Sequence, residues 1–207
     1  STPNLASRTS LTLRAACFFF SRSMEAAMSD PRIAPGLGPK RTRIVEVALE
    51  ELDRGVREEP PGSNRGPLVD RYLPSWAQTT PGPAWCAFFA CWVLRQALSK
   101  IPTGSVRGGV HALKKDAENR GLYREKDAYD PAPGDVFVMD MGRGTGHVGF
   151  VIGYSGELIE TIEGNSGDRV RAGLRRLDDP KLIGFISTVP KERFDACWMP
   201  GIGAGAE

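Results

Sequence analysis

The chain has 207 residues, with 41% hydrophobic and 25% charged content, values that are ordinary for a soluble globular protein. This length fits one domain with terminal tails better than two full domains. The net charge of +2 argues against a dedicated nucleic-acid binder. No apolar run approaches the roughly 20 residues that a membrane-spanning helix needs. We therefore expect a monomer with no nucleic-acid partner and no membrane partner.

The N-terminal segment, residues 1–39, has the composition of a leader and linker rather than of a folded domain. Its apolar part makes a poor signal peptide, because an arginine interrupts it and no clear small-residue cleavage site follows. Met24 or Met28 is a candidate natural start, and we favour that interpretation over a secretion signal. We expect residues 40–190 to form the folded domain and residues 191–207 to form a C-terminal tail.

The predicted helices precede the predicted strands. After a first helix at 44–52, they lie at 68–73, 86–97 and 111–120. From residue 131 onward turn residues alternate with short apolar runs, and the predicted strands lie at 136–139, 147–154, 158–162, 170–177 and 182–188. Helices first and antiparallel hairpins afterwards indicate an α+β fold rather than an alternating α/β fold.

Residues 83–97 begin with a proline-containing loop and continue as an apolar stretch without a helix breaker. They predict a buried helix that begins at Cys86. Unpaired amides and the positive end of the dipole favour a thiolate at a helix N-terminus, so Cys86 is a candidate nucleophile. The alternative is a packed core cysteine. Cys91 is too far round the helix for a disulfide with Cys86, and we expect it in the core.

A cysteine nucleophile needs a base that also protonates the leaving group, and histidine fits this role at neutral pH. The chain has two histidines. His111 lies in the polar helix predicted at 111–120 and is expected at the surface. His147 opens a strand after a glycine-rich loop and is the candidate base, the alternative being a structural histidine.

The imidazole of a catalytic histidine needs an acceptor that fixes its orientation. Antiparallel pairing of two consecutive strands places His147 near Glu163 or Asn165. Alternation along the strand puts Thr161 and Glu163 on the face opposite the core residue Ile162. The alternatives are a solvated strand end for Glu163 and a turn former for Asn165.

The sequence Pro-Ala-Trp-Cys-Ala at 83–87, the strand Gly-His-Val-Gly-Phe-Val at 146–151 and Glu-Gly-Asn at 163–165 together resemble the CHAP family. These are the cysteine- and histidine-dependent amidohydrolases/peptidases, part of the wider NlpC/P60 and papain-like group. The segment 62–67 is also similar to that family. The resemblance covers about residues 40–190 and implies a papain-like fold, with N-terminal helices packed on a C-terminal antiparallel sheet.

The resemblance implies Cys86 as the nucleophile, His147 as the base and Glu163 or Asn165 as the orienting residue. It also implies cleavage of an amide bond in bacterial peptidoglycan, in the cross-bridge, the stem peptide or N-acetylmuramoyl-alanine. Peptidoglycan peptides are then the expected partner, and no cofactor is expected. Some relatives bind calcium, but the sequence has no Asp-x-Asp-x-Asp-Gly loop.

Three points stay open in the sequence. The oxyanion would be held by the Cys86 backbone N–H and by a second donor from Asn64, Gln78 or the Trp85 region. The basic run is expected to be a solvated face, with acidic wall polymers as the alternative partner; its members are Arg169, Arg171, Arg175 and Arg176. The alternative functions are an acyltransferase or transpeptidase on the same scaffold, and a non-catalytic wall-binding module.

Overall fold

The computed structural model describes residues 30–98 and 108–189. The described residues from Ile33 onward belong to one compact unit, while residues 30–32 belong to a separate N-terminal unit. Most of the expected leader and the whole expected tail lie outside the described residues. Within the described ranges, no helix is both long enough and apolar enough to cross a bilayer.

In the described ranges, three α-helices precede the sheet. They are α1 (Pro39–Asp53), α2 (Cys86–Ala97) and α3 (Val110–Asn119). Pro39 occupies the first turn of α1, where its missing N–H costs no hydrogen bond. The helix predicted at 68–73 is reduced to a 3-10 turn at Val69–Arg71, and a second 3-10 turn follows at Ser75–Ala77. Pro74, between the two turns, disfavours a continuous α-helix there.

Six described strands form one antiparallel sheet in the order β1-β6-β2-β3-β4-β5. Their bounds are β1 Tyr123–Glu125, β2 Val136–Gly142, β3 Thr145–Ser155, β4 Leu158–Glu163, β5 Arg171–Arg176 and β6 Leu182–Ile186. The predicted α+β class, with helices before the sheet, is confirmed. Strand β1 was not predicted from the sequence, because three residues are too few to show strand alternation.

Helix α2 packs on the sheet at β3, and its Phe89 also lies against Gly164, the residue after β4. The ring of Phe89 meets the ring of Phe150 edge-on, with the centroids 6.1 Å apart. Gly164, just after β4, leaves room for this contact, since a Cβ there would lie 2.6 Å from the Phe89 Cβ. This contact holds the start of α2 beside the open end of the β3–β4 hairpin, opposite the hairpin turn.

A buried ion pair joins α1 to the start of β2. Arg41 is 1% exposed and Asp135 is 0% exposed, and Arg41 Nη1 donates to Asp135 Oδ1 at 2.9 Å. The other Asp135 oxygen accepts from the Tyr129 hydroxyl and from the Ala132 N–H. In the sequence, residues 133–135 (Pro-Gly-Asp) indicate only a turn. The charge pair additionally fixes α1 against that turn.

We expect Arg41→Met to lower the free energy of unfolding by about 3–5 kcal/mol, because it leaves the Asp135 carboxylate buried without its cation. Urea unfolding followed by circular dichroism measures this loss. Arg43→Met is the control on the same helix. Arg43 pairs with Glu46 and Glu50 at the surface, so its loss should cost within about 1 kcal/mol. Equal costs for the two variants would contradict the assignment of the pair.

Candidate active site

The side chains of Cys86, His147 and Glu163 form a continuous chain of hydrogen bonds. His147 Nε2 lies 2.9 Å from Glu163 Oε2, and the imidazole also hydrogen-bonds the side chain of Cys86. Cys86 is 5% exposed and Glu163 is 1% exposed, whereas the His147 side chain is 15% exposed. The imidazole therefore links a buried sulfur to a buried carboxylate.

The two strands of the β3–β4 hairpin bring His147 and Glu163 together. The strands pair from Ser155 with Leu158 at the turn to Phe150 with Ile162 near the other end. His147 lies near the start of β3 and Glu163 is the last residue of β4. Antiparallel pairing therefore brings both to the same end of the hairpin.

The face on which Glu163 lies agrees with the sequence analysis. Thr161 Oγ1 donates to Glu163 Oε1 at 2.7 Å, so the two side chains share a face, and Ile162 is fully buried on the other. The alternative of a solvated strand end is wrong, because Glu163 is 1% exposed.

Two glycines on the neighbouring strands make room for the Glu163 side chain. A Cβ at Gly149 of β3 would lie 2.9 Å from Glu163 Cγ, and a Cβ at Gly173 of β5 would lie 2.9 Å from Glu163 Oε1. Both distances are shorter than a side-chain carbon tolerates. The slot that receives the carboxylate is therefore built by the absence of side chains on either side of β4.

Arg175 on β5 holds the same carboxylate at two points. Its Nε donates to Glu163 Oε1 at 2.8 Å and its Nη2 donates to Oε2 at 2.6 Å. The expectation of a solvated basic run is wrong for Arg175, while Arg169, Arg171 and Arg176 are exposed. Strand alternation carries the signal that could have found this contact, since Gly173 and Arg175 share a face of β5.

The charges of the His147–Glu163 pair are set by competing effects. Burial opposes the charged imidazole, but the hydrogen bonds with Cys86 and Glu163 outweigh it and raise the pKa of His147 to about 9. Burial also opposes the carboxylate, but hydrogen bonds from His147, Arg175 and Thr161 hold the pKa of Glu163 well below its usual range. At neutral pH the pair is therefore an imidazolium and a carboxylate.

Asn165, the other orienting candidate, belongs to a different network. In the amide orientation that satisfies its neighbours, Asn165 accepts from the Trp85 backbone N–H at 3.0 Å and donates to Glu58 Oε1 at 3.3 Å. Glu58 is 2% exposed and also accepts from the Trp85 indole at 2.9 Å and from the Asn64 backbone N–H at 2.8 Å. This network holds the loop that leads into Cys86. No local sequence pattern marks Glu58 for this position.

The remaining sequence candidates lie away from the imidazole–carboxylate pair. His111 is exposed and its ring lies 3.3 Å from the Thr145 carbonyl oxygen, as expected for a surface histidine. Gln78 donates its amide to the carbonyl oxygens of Asp70 and Leu73. Among the described residues, no group of three or more His, Cys, Asp or Glu side chains could hold a metal ion.

We expect iodoacetamide at neutral pH to label Cys86 several-fold faster than Cys91, because only Cys86 lies at the first turn of the helix and beside the imidazole of His147. Both sulfurs are buried on the same helix, so burial alone would not separate them. Mass mapping of the labelled peptides measures both rates in one sample. His147→Ala should reduce the Cys86 rate toward that of Cys91. Equal rates in the folded wild type would contradict an activated Cys86.

Comparison with known proteins bears on this same stretch of chain. No curated protein matches the chain, and no solved structure matches it either. The family model described as the CHAP domain matches residues 78–165. Cys86, His147, Glu163 and Asn165 all lie inside the matched range. The resemblance drawn from the sequence is therefore confirmed over residues 78–165, while the match does not extend over the rest of the expected range 40–190 or over the segment 62–67.

Proposed function

We propose that this protein is a cysteine amidase or peptidase that cleaves an amide bond in bacterial peptidoglycan. The contact of His147 with both Cys86 and Glu163 carries the proposal, because it supplies a nucleophile, a proton carrier and an orienting acceptor in series. The CHAP domain match supports a peptidoglycan-related amidase or peptidase. Peptidoglycan peptides are then the substrate class.

The first half of the reaction forms an acyl-enzyme. The Cys86 thiolate attacks the carbonyl carbon of the scissile amide and forms a C–S bond. His147, protonated at neutral pH, gives its proton to the amide nitrogen as the C–N bond breaks. The amine leaves, and the acyl group remains on Cys86 as a thioester. Glu163 stays ionised throughout and stabilises the imidazolium.

The second half returns the enzyme to its starting state. The neutral imidazole of His147 now takes a proton from water, and the hydroxide oxygen attacks the thioester carbonyl carbon. The C–S bond breaks and the electron pair returns to sulfur, so the products are a carboxylic acid and the Cys86 thiolate. An added amine could replace water in this step, which is the acyltransferase alternative.

The three candidates for the second oxyanion donor, beside the Cys86 backbone N–H, already have hydrogen-bond partners. The amide of Gln78 already donates to two backbone carbonyls. Both N–H groups of Trp85 are engaged as well, the backbone one by Asn165 and the indole by Glu58. The side-chain amide of Asn64 is engaged by that of Asn165, 3.2 Å away, so the contacts favour none of the three candidates.

We expect Cys86→Ala to lower the hydrolysis of purified peptidoglycan by about a thousandfold or more, because it removes the nucleophile. Cys91→Ala is the matched control on the same helix and should keep near wild-type activity. Mass analysis of the fragments identifies the bond that is cut. A parallel digestion with an added amine distinguishes hydrolysis from acyl transfer. Undiminished degradation by Cys86→Ala would remove the mechanism.

We expect the activity to fall above about pH 9, because the proton that the leaving amine needs is lost as pH rises through the raised pKa of His147. The dependence of kcat/KM on pH, measured with a soluble peptidoglycan fragment, shows this basic limb. An ordinary histidine would place the limb between about pH 6 and 7. A limb in that range would contradict the imidazolium–carboxylate pair.

A further inference from the structure

We propose that Arg175 is a positioning residue for this reaction, whose guanidinium fixes the Glu163 carboxylate in the orientation that accepts from His147. The inference deepens the proposed function and rests on it for the identity of the reaction. The contact itself is independent of the substrate. Arg175 lies on β5, outside the stretch 78–165 that matches the CHAP domain.

The contact has the geometry by which an arginine defines the orientation of a carboxylate. The guanidinium donates from Nε and Nη2 to the two different oxygens of Glu163, at 2.8 and 2.6 Å. Two parallel hydrogen bonds fix both the position and the plane of the carboxylate. A lysine could supply the charge but not the second, fixed bond. The chemistry of this contact therefore selects arginine.

The burial of Glu163 explains why the site needs a second cation. The carboxylate is 1% exposed, and its Oε2 is shared between Arg175 and His147. In the second half of the reaction the imidazole is neutral, so it no longer neutralises the carboxylate. Arg175 remains charged throughout and prevents an isolated buried anion at that stage.

The surroundings of the guanidinium keep it in this position. Its central carbon lies 5.9 Å from the centroid of the buried Phe137 ring. The same ring lies 5.9 Å from the imidazole of His147, so Phe137 contacts both ends of the network. Gly173 leaves the path between β5 and the carboxylate open.

The charged and titratable neighbours of the network predict a specific pH signature. They are Cys86 on α2, His147 on β3, Glu163 on β4, and Arg175 on β5 with Asp179 beside it. If Arg175 acted only as a charge, its removal would raise the pKa of His147 and move the basic limb of the pH profile to higher pH. If Arg175 positions Glu163, its removal frees the carboxylate from His147, so the pKa of His147 falls and the basic limb moves to lower pH.

The first experiment compares Arg175→Met, Arg175→Lys and Arg171→Met. Arg171 is the control, because it is an exposed arginine on the same strand, directly opposite Glu163 in the register. We expect Arg175→Met to lower kcat by about 10- to 100-fold, as other residues that orient a reacting group do. KM should change little and the basic limb should move to lower pH. Arg175→Lys should be intermediate, and Arg171→Met should match the wild type.

Gly173→Ala tests the same contact from the other side, with Arg175 still present. Its new Cβ would displace the carboxylate, because it would lie 2.9 Å from Glu163 Oε1. We expect a loss of kcat with the basic limb moved to lower pH, the same direction as in Arg175→Met. If circular dichroism shows that Arg175→Met does not fold, Arg175→Lys and Gly173→Ala test the inference in its place. An unchanged rate and profile in Arg175→Met, or in these two, would overturn the inference.

The rate of Cys86 alkylation by iodoacetamide separates this inference from the proposed function. It reports the network without any substrate. The pH dependence of this rate is compared between the wild type and Arg175→Met. If the wild type does not cleave peptidoglycan but Arg175→Met moves the pH dependence of Cys86 alkylation to lower pH, the proposed function fails and the positioning role stands. If the wild type cleaves peptidoglycan and neither profile responds to Arg175→Met, the positioning role fails alone.

Discussion

The buried carboxylate of Glu163 is the constraint on which the site depends. It is 1% exposed and receives hydrogen bonds from His147, Arg175 and Thr161, which come from three adjacent strands. An anion in this environment is stable only while these donors stay in place. The register of the sheet places these donors, and it therefore determines both the charge and the orientation of the carboxylate.

A second buried carboxylate organises the opposite side of the site. Glu58 accepts hydrogen bonds from the Trp85 indole, the Asn64 backbone N–H and the Asn165 amide, the last in the amide orientation that satisfies the neighbours of Asn165. These contacts hold the loop that leads to Cys86. Glu163 thus aligns the imidazole of His147, and Glu58 holds the loop that leads to Cys86. The residues 163 and 165 that the sequence analysis treated as alternatives contact different groups and have complementary positions.

Much of the fold could be read from local periodicity. The hairpin strands carry alternating or continuous apolar residues between turn residues, so their existence was predictable to within a few positions. Strand β1 and the 3-10 turns around Pro74 were not, because such short segments carry too few residues for a periodic signal. The Arg41–Asp135 pair was not predictable for a different reason. Its partners lie 94 positions apart, and periodicity within one segment does not relate such distant residues.

The sequence by itself determined the helix that begins at Cys86, the α+β order and the proximity of His147 to Glu163, because each follows from spacing within one helix or one hairpin. Only the tertiary structure decided that Glu163 rather than Asn165 meets the imidazole, and that Arg175 and Glu58 join the site. These contacts depend on which strand lies beside which, and on the space that Gly149 and Gly173 leave empty. Local residue patterns carry no information about such space, because it exists only between segments that folding has brought together.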